Sequence, residues 1–216
     1  MTLKLIHSRL IALAAAIVFL SIASHSQSKP AAPAKPPTAS SEDAQIYRNS
    51  TYGFRYKIPF GWVERTKQLQ EGDADSKGEV LLAVFERPPE ATGDTINSAV
   101  VIASESAESY PGLKKAEDYL GPLTELTTSK GFQAEGDPSV ILVDGRQLVR
   151  ADFTKQLGAR KIADKASDET LTMHQATLVL LAHRQIVSFT FIAGSEDELD
   201  NLTSNLHFAA AKPPVH

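Results

Sequence analysis

Cysteine is absent from the 216-residue chain. No disulfide can staple the fold, no thiolate can act as nucleophile or metal ligand, and stability must come from a packed core. A bacterial lipoprotein also needs a cysteine at its cleavage site, so any membrane anchor would have to be the amino-terminal leader itself. An excess of positive charge is missing too. Lys and Arg number 22 against 26 Asp and Glu, a formal net charge of −4. With Lys4 and Arg9 in a leader that is removed, 20 basic residues face 26 acidic ones and the balance falls to −6. A nucleic-acid protein would show the reverse, a basic stripe to neutralise phosphates, so none is expected as a partner. There is no HExxH, no glycine-rich phosphate loop, and no pair of histidines with a carboxylate at ligand spacing.

What is present is ordinary for a soluble globular protein, 42% hydrophobic and 22% charged, with length enough for one domain and a substantial core. Residues 1–28 read as a secretory signal. Lys4 and Arg9 make a positive start, Leu10 to Ala23 is an almost unbroken apolar run, and Ser24, Ser26 and Ser28 are small residues suited to cleavage. The run is shorter than the roughly 20 residues a spanning helix needs. An extracytoplasmic location, periplasmic or secreted, is therefore expected, with membrane contact only through an uncleaved leader. Residues 29–45 carry Pro30, Pro33, Pro36 and Pro37 and almost nothing apolar, the composition of a disordered linker. Residues 46–209 form the expected domain, and 210–216 an unstructured tail.

The domain opens on Tyr52-Gly-Phe-Arg-Tyr-Lys-Ile-Pro-Phe-Gly-Trp62. Tyr52, Phe54, Tyr56 and Ile58 alternate with Gly53, Arg55 and Lys57, the period of a half-buried strand. Pro59 and Gly61 then break the ladder and turn Trp62 back over the sheet. Residues 66–78 are polar and read as a hairpin loop. Asp73 and Asp75 copy the start of a calcium loop, but Lys77 takes the third ligand position and Val84 stands where a bidentate glutamate should close the site, so no metal is assigned.

Val80–Phe85 and Ala99–Ala103 are short continuous apolar runs, which suit strands covered on both faces. Leu113 to Ser129 has helical spacing, with Gly121-Pro122 expected to kink or split it and Gly131 to stop it. Ser139–Val143 and Arg146–Lys155 are joined by Asp144-Gly145, a strong hairpin signal. A polar loop over 158–168 leads to the last hairpin, Thr170–Ala182 with Ile186–Ala193, turning at His183-Arg184. Ser195 to Glu198 has the form of a capping box, with the Glu198 carboxylate returning to the Ser195 amide. The apolar stripe Leu199, Leu202, Leu206 belongs to the closing helix, with Phe208 just beyond.

Ser188, His174 and Asp152 are the best nucleophile, base and carboxylate the chain offers. Register argues against them. A turn at His183-Arg184 pairs Leu181 with Ile186, Val179 with Ser188 and His174 with Ala193, and directly paired residues share a face. Ser188 and His174 then point to opposite sides of the sheet. Arg150 and Asp152 are expected as an exposed same-face pair of little energetic weight. No catalytic, cofactor or metal residue is assigned.

The opening motif, a glycine among aromatics, an alternating strand, then Pro-x-Gly-Trp, resembles the start of PsbP-like domains, and the likeness extends loosely from Ile46 to Phe208. The resemblance implies an α+β fold, a largely antiparallel six- to seven-stranded sheet sandwiched between helices. It is nearly silent on function and transfers no binding residue. The reading that follows is an exported, non-enzymatic accessory or protein-interaction domain of the bacterial cell envelope. The alternatives are a periplasmic carrier of a small apolar ligand and, third, a hydrolase.

Overall fold

A computed structural model describes residues 45–72, 78–91, 95–160 and 169–209. The leader, most of the linker, the tail, and the centres of the expected calcium-like and 158–168 loops lie outside the described residues.

The strands are β1 (Ile46–Asn49), β2 (Phe54–Lys57), β3 (Val63–Glu64), β4 (Gly78–Phe85), β5 (Ala99–Ser106), β6 (Gln133–Val143), β7 (Arg146–Arg160), β8 (Glu169–Ala182), β9 (Gln185–Ala193) and β10 (Leu206–Phe208). Seven of them make one antiparallel sheet in the order β3-β4-β5-β9-β8-β7-β6, and β1-β2-β10 make a second, smaller sheet. The helices are α1 (Thr66–Gly72), α2 (Leu120–Ser129) and α3 (Glu196–Ser204). The fold is α+β, as the sequence predicts.

The continuous apolar runs are the reason the large sheet needs two covers. In β4, β5 and β9 nearly every side chain is buried, so alternate residues feed two separate cores. One core joins Leu82, Val84, Val100, Ile102, Phe189 and Phe191 to Phe54, Tyr56 and Phe208 of the small sheet and Leu199 and Leu202 of α3. The other joins Ala83, Val101, Ala103, Phe153 and Ile192 to Tyr110, Tyr119, Leu123 and Phe132. The first layer is thus built by strands as much as by a helix. The opening strand is the heart of that layer: Phe54, Tyr56 and Ile58 are buried, Gly61 takes φ +81°, and Trp62 folds against the same core.

Both hairpin turns form as expected. Asp144 (φ 48°) and Gly145 (φ 79°) take the two left-handed positions of a primed turn, and His183 (φ 52°) and Arg184 (φ 62°) do the same without a glycine.

Four local expectations are corrected. The 66–78 stretch begins with α1, because Thr66 Oγ1 accepts from Ala83 N (3.1 Å) and Gln70 Oε1 from Val80 N (2.6 Å), which fastens a helix of mostly polar residues to β4. The helix expected from Leu113 starts only at Leu120, after a 3-10 turn over Ala116–Tyr119, so Gly121-Pro122 sits in its first turn, where a missing N–H costs nothing. Leu206 belongs to β10, not to α3, because it pairs with Tyr56. At the start of α3, Ser195 Oγ accepts from Glu198 N (3.2 Å), but Glu198 Oε2 returns to Gly194 N (3.0 Å), one residue before the expected amide.

Candidate functional site

The final hairpin has the predicted register, with Leu181 opposite Ile186, Val179 opposite Ser188 and His174 opposite Ala193. Ser188 is buried with Val179 and Ala103 for neighbours, on the side of the second core. Asp152 pairs with Ala176 and Thr154 with His174, which turns Asp152 and His174 to the other face. The sheet therefore keeps Ser188 away from the other two.

Asp152 and His174 do share something: a cleft of about 330 Å³ between α3 and the strands β6, β7 and β8, lined also by Glu135, Arg150, Glu196, Leu199 and Asp200. It opens where β6 loses register between Glu135 and Ser139. Arg150 Nε contacts both carboxylate oxygens of Asp152 at 2.9 Å, and its Nη2 lies 2.9 Å from Asp152 Oδ1 and 3.8 Å from Asp200 Oδ1. The pair expected to be exposed is half-buried instead and reaches across to α3. Its one strong cation is committed to Asp152, and the acids Glu135, Glu196 and Asp200 surround it. With Phe153 and Leu199 as its apolar lining among these charged groups, the cleft is not the dominantly apolar cavity that a small apolar ligand fills. Among the described residues no group of three or more His, Asp and Glu side chains is placed to bind a metal. Asp73, Asp75 and Lys77 fall outside the described residues, and Val84 is an ordinary core residue of β4.

A second polar group was not anticipated. Glu105 is only 5% exposed. Tyr110 Oη donates to its Oε2 at 2.5 Å and Tyr119 Oη to its Oε1 at 3.0 Å, with the two rings edge to face at 5.0 Å. Burial pushes the Glu105 carboxyl above its ordinary range, although both phenols oppose the shift. Burial, reinforced by the carboxylate, pushes both tyrosines up as well. The signal was in the sequence: Val101, Ala103 and Glu105 alternate on one face of an apolar strand, so parity carries the carboxylate inward. The group fastens the irregular 107–119 segment to the sheet.

His183 lies exposed at its turn, beside Tyr52 at 6.4 Å between ring centres. His207 is in β10, where its Nδ1 is 3.1 Å from Asp144 Oδ2, the same oxygen that accepts from Phe208 N at 3.0 Å.

No family model matches the chain, and no curated protein matches it. Among solved structures, LpqN of Mycobacterium tuberculosis, involved in cell envelope biogenesis, is similar at 13% identity over 76% of this chain and 80% of its own, with a TM-score of 0.39. A Pseudomonas aeruginosa protein of unknown function is similar at 15% identity over 79% of this chain and 98% of its own, with a TM-score of 0.37. Cyanobacterial PsbP (CyanoP) from Synechocystis sp. PCC 6803 is similar at 16% identity over 81% of this chain and 100% of its own, with a TM-score of 0.46.

Proposed function

We propose that the chain is an exported accessory domain of the cell envelope that works by binding a partner protein along the free edge of its large sheet. The observation that carries this reading is the outer half of β6. Beyond the break in register at Glu135/Ser139, which includes Gly136 and Pro138, the strand reads Ser-Val-Ile-Leu-Val without a charge. Val140 and Leu142 are 54% and 72% exposed on it. Edge strands are commonly guarded by charge, proline or shortness, and the opposite edge, β3, is two residues long. The Gly136–Pro138 break guards only the first half of β6. An extended segment of a partner can add to the second half through main-chain hydrogen bonds, with Val140 and Leu142 giving side-chain contact. The extracytoplasmic placement rests on the leader.

A photo-crosslinking residue placed at Leu142 in whole cells tests it, with the same residue at Glu125 on α2 as the control. One envelope protein joined reproducibly at 142, absent at 125, and lost on Val140→Glu supports the reading. Adducts at 142 no different from those at 125 overturn it.

A further inference from the structure

Four large hydrophobic side chains are exposed among the described residues, and two of them are accounted for by β6. The others, Ile46 at 43% and Phe60 at 96%, lie at one end of the small sheet, where Gln45 O accepts from Ile58 N at 2.8 Å. Phe60 is held out rather than left loose. Trp62 N donates to Pro59 O at 3.3 Å, Gly61 takes a positive φ, and Trp62 is anchored on the core behind it.

The same alternation that sends Tyr47, Phe54 and Tyr56 inward sends cations outward. Arg48 pairs with Arg55, Ile46 with Lys57, and His207 with Arg55 on the far side, so Ile46, Arg48, Arg55, Lys57 and His207 share the outer face. Like charges directly opposite one another cost stability. Arg48, Arg55 and Lys57 form no ion pair among the described residues. Asp144 feels Arg55 but already accepts from Phe208 N and His207. In a chain of net negative charge this face gathers cations beside a protruding aromatic.

We propose that the outer face of the three-stranded sheet, with Phe60 at its tip, docks the domain on a membrane surface of anionic lipid. The charge identifies the occupant's sign. The arrangement identifies its kind, because cations spread over a sheet face with Phe60 projecting from its end suit an extended anionic surface and not a single bound ion. The chain also enters the domain at Gln45, next to Ile46 of this face, from the linker. No helix among the described residues is long and apolar enough to cross a membrane.

The lack of cysteine makes the test direct. In the full chain, Phe60→Cys takes an environment-sensitive fluorophore, and Glu125→Cys on α2 takes the same one as control. Because the label reports its own surroundings, insertion of the leader cannot mimic a signal at position 60. The full chain also includes Glu42 and Asp43, so any competition from these acids is present in the test. Vesicles of phosphatidylcholine with phosphatidylglycerol should blue-shift the label at 60 and leave that at 125 unchanged, whereas pure phosphatidylcholine should move neither. Each cation near an anionic surface contributes about fivefold, so Arg48→Ser, Arg55→Ser and Lys57→Ser together should raise the required lipid about a hundredfold. High salt should act in the same direction as it shortens the screening length. The salt titration decides the matter alone if the triple variant does not fold. No shift at 60 on anionic vesicles, an equal shift on neutral ones, or a response insensitive to both salt and the triple change overturns the proposal. A response to polyglutamate but not to vesicles also overturns it, in favour of an acidic protein.

Discussion

The two covers of the large sheet are held on by different chemistry. On one side Phe54, Phe189 and Phe208 meet edge to face or tilted at 5.0 to 6.3 Å, and the polar fastenings, Asp144 to His207 and Phe208 N and Arg150 to Asp200, lie at or near the surface. On the other side, beside an exposed Arg184–Glu108 pair, a polar fastening lies inside, as Glu105 receiving Tyr110 and Tyr119. A carboxylate at the rim is favoured in its charged form, and one in the core is disfavoured in it. The two covers should therefore differ in how they respond to truncation and, with opposite sign, to pH.

The largest break is apolar. Phe189 is fully buried and joins the aromatic trio. Phe189→Ala should cost about 3–5 kcal/mol, because the rigid sheet cannot collapse into the space. Denaturant unfolding should show this as a lower midpoint with an unchanged slope.

On the other side the polar group decides. Tyr119→Phe removes the donor to Glu105 Oε1 with little change of shape and should cost about 1–3 kcal/mol at neutral pH. The Glu105 carboxyl is raised in the folded state, so its contribution is fully present below the unfolded value, near pH 4.3, and is lost as pH rises through the folded one. Glu105→Gln should abolish that decline. Thermal midpoints taken from pH 4 upward that fall equally in both proteins would assign the slope to other groups.

Sequence periodicity goes far on the strands and less far on what ties them together. The last hairpin could be paired residue by residue from its turn, because a two-residue loop at His183-Arg184 fixes the register of the strands it joins. That constraint is missing over residues 66–72. There α1 has a single large apolar residue, Leu69, and its existence depends on Thr66 and Gln70 reaching amides of β4, which no period records. The same holds for Leu206, whose helical spacing with Leu202 is overridden by pairing with Tyr56. The cleft was half legible: strand parity separates Ser188 from His174, but nothing local announces that Arg150 reaches Asp200 on a helix far along the chain.

A smaller effect is expected at the cap of α3, the helix of the first cover. Ser195→Ala loses the acceptor for Glu198 N and should cost about 1 kcal/mol. Because Leu199 and Leu202 remain in the core, the loss should appear as faster amide exchange in the first turn of α3, with the small sheet unaffected.

The smallest change gives the sharpest contrast. Asp144 is held below the usual carboxyl range chiefly by Phe208 N, then by His207. Its contribution is therefore present above the unfolded value, near pH 4, and is lost as pH falls through the folded one. Asparagine tolerates the left-handed backbone of this turn, where Asp144 has φ 48°, and keeps an oxygen for Phe208 N, so Asp144→Asn removes the charge alone. Stability at neutral pH should drop slightly and the acid limb should flatten, whereas Glu105→Gln flattens the limb on the other side. If both substitutions flattened the same limb, the two carboxylates would share one environment and the contrast between inner and outer fastening would fail.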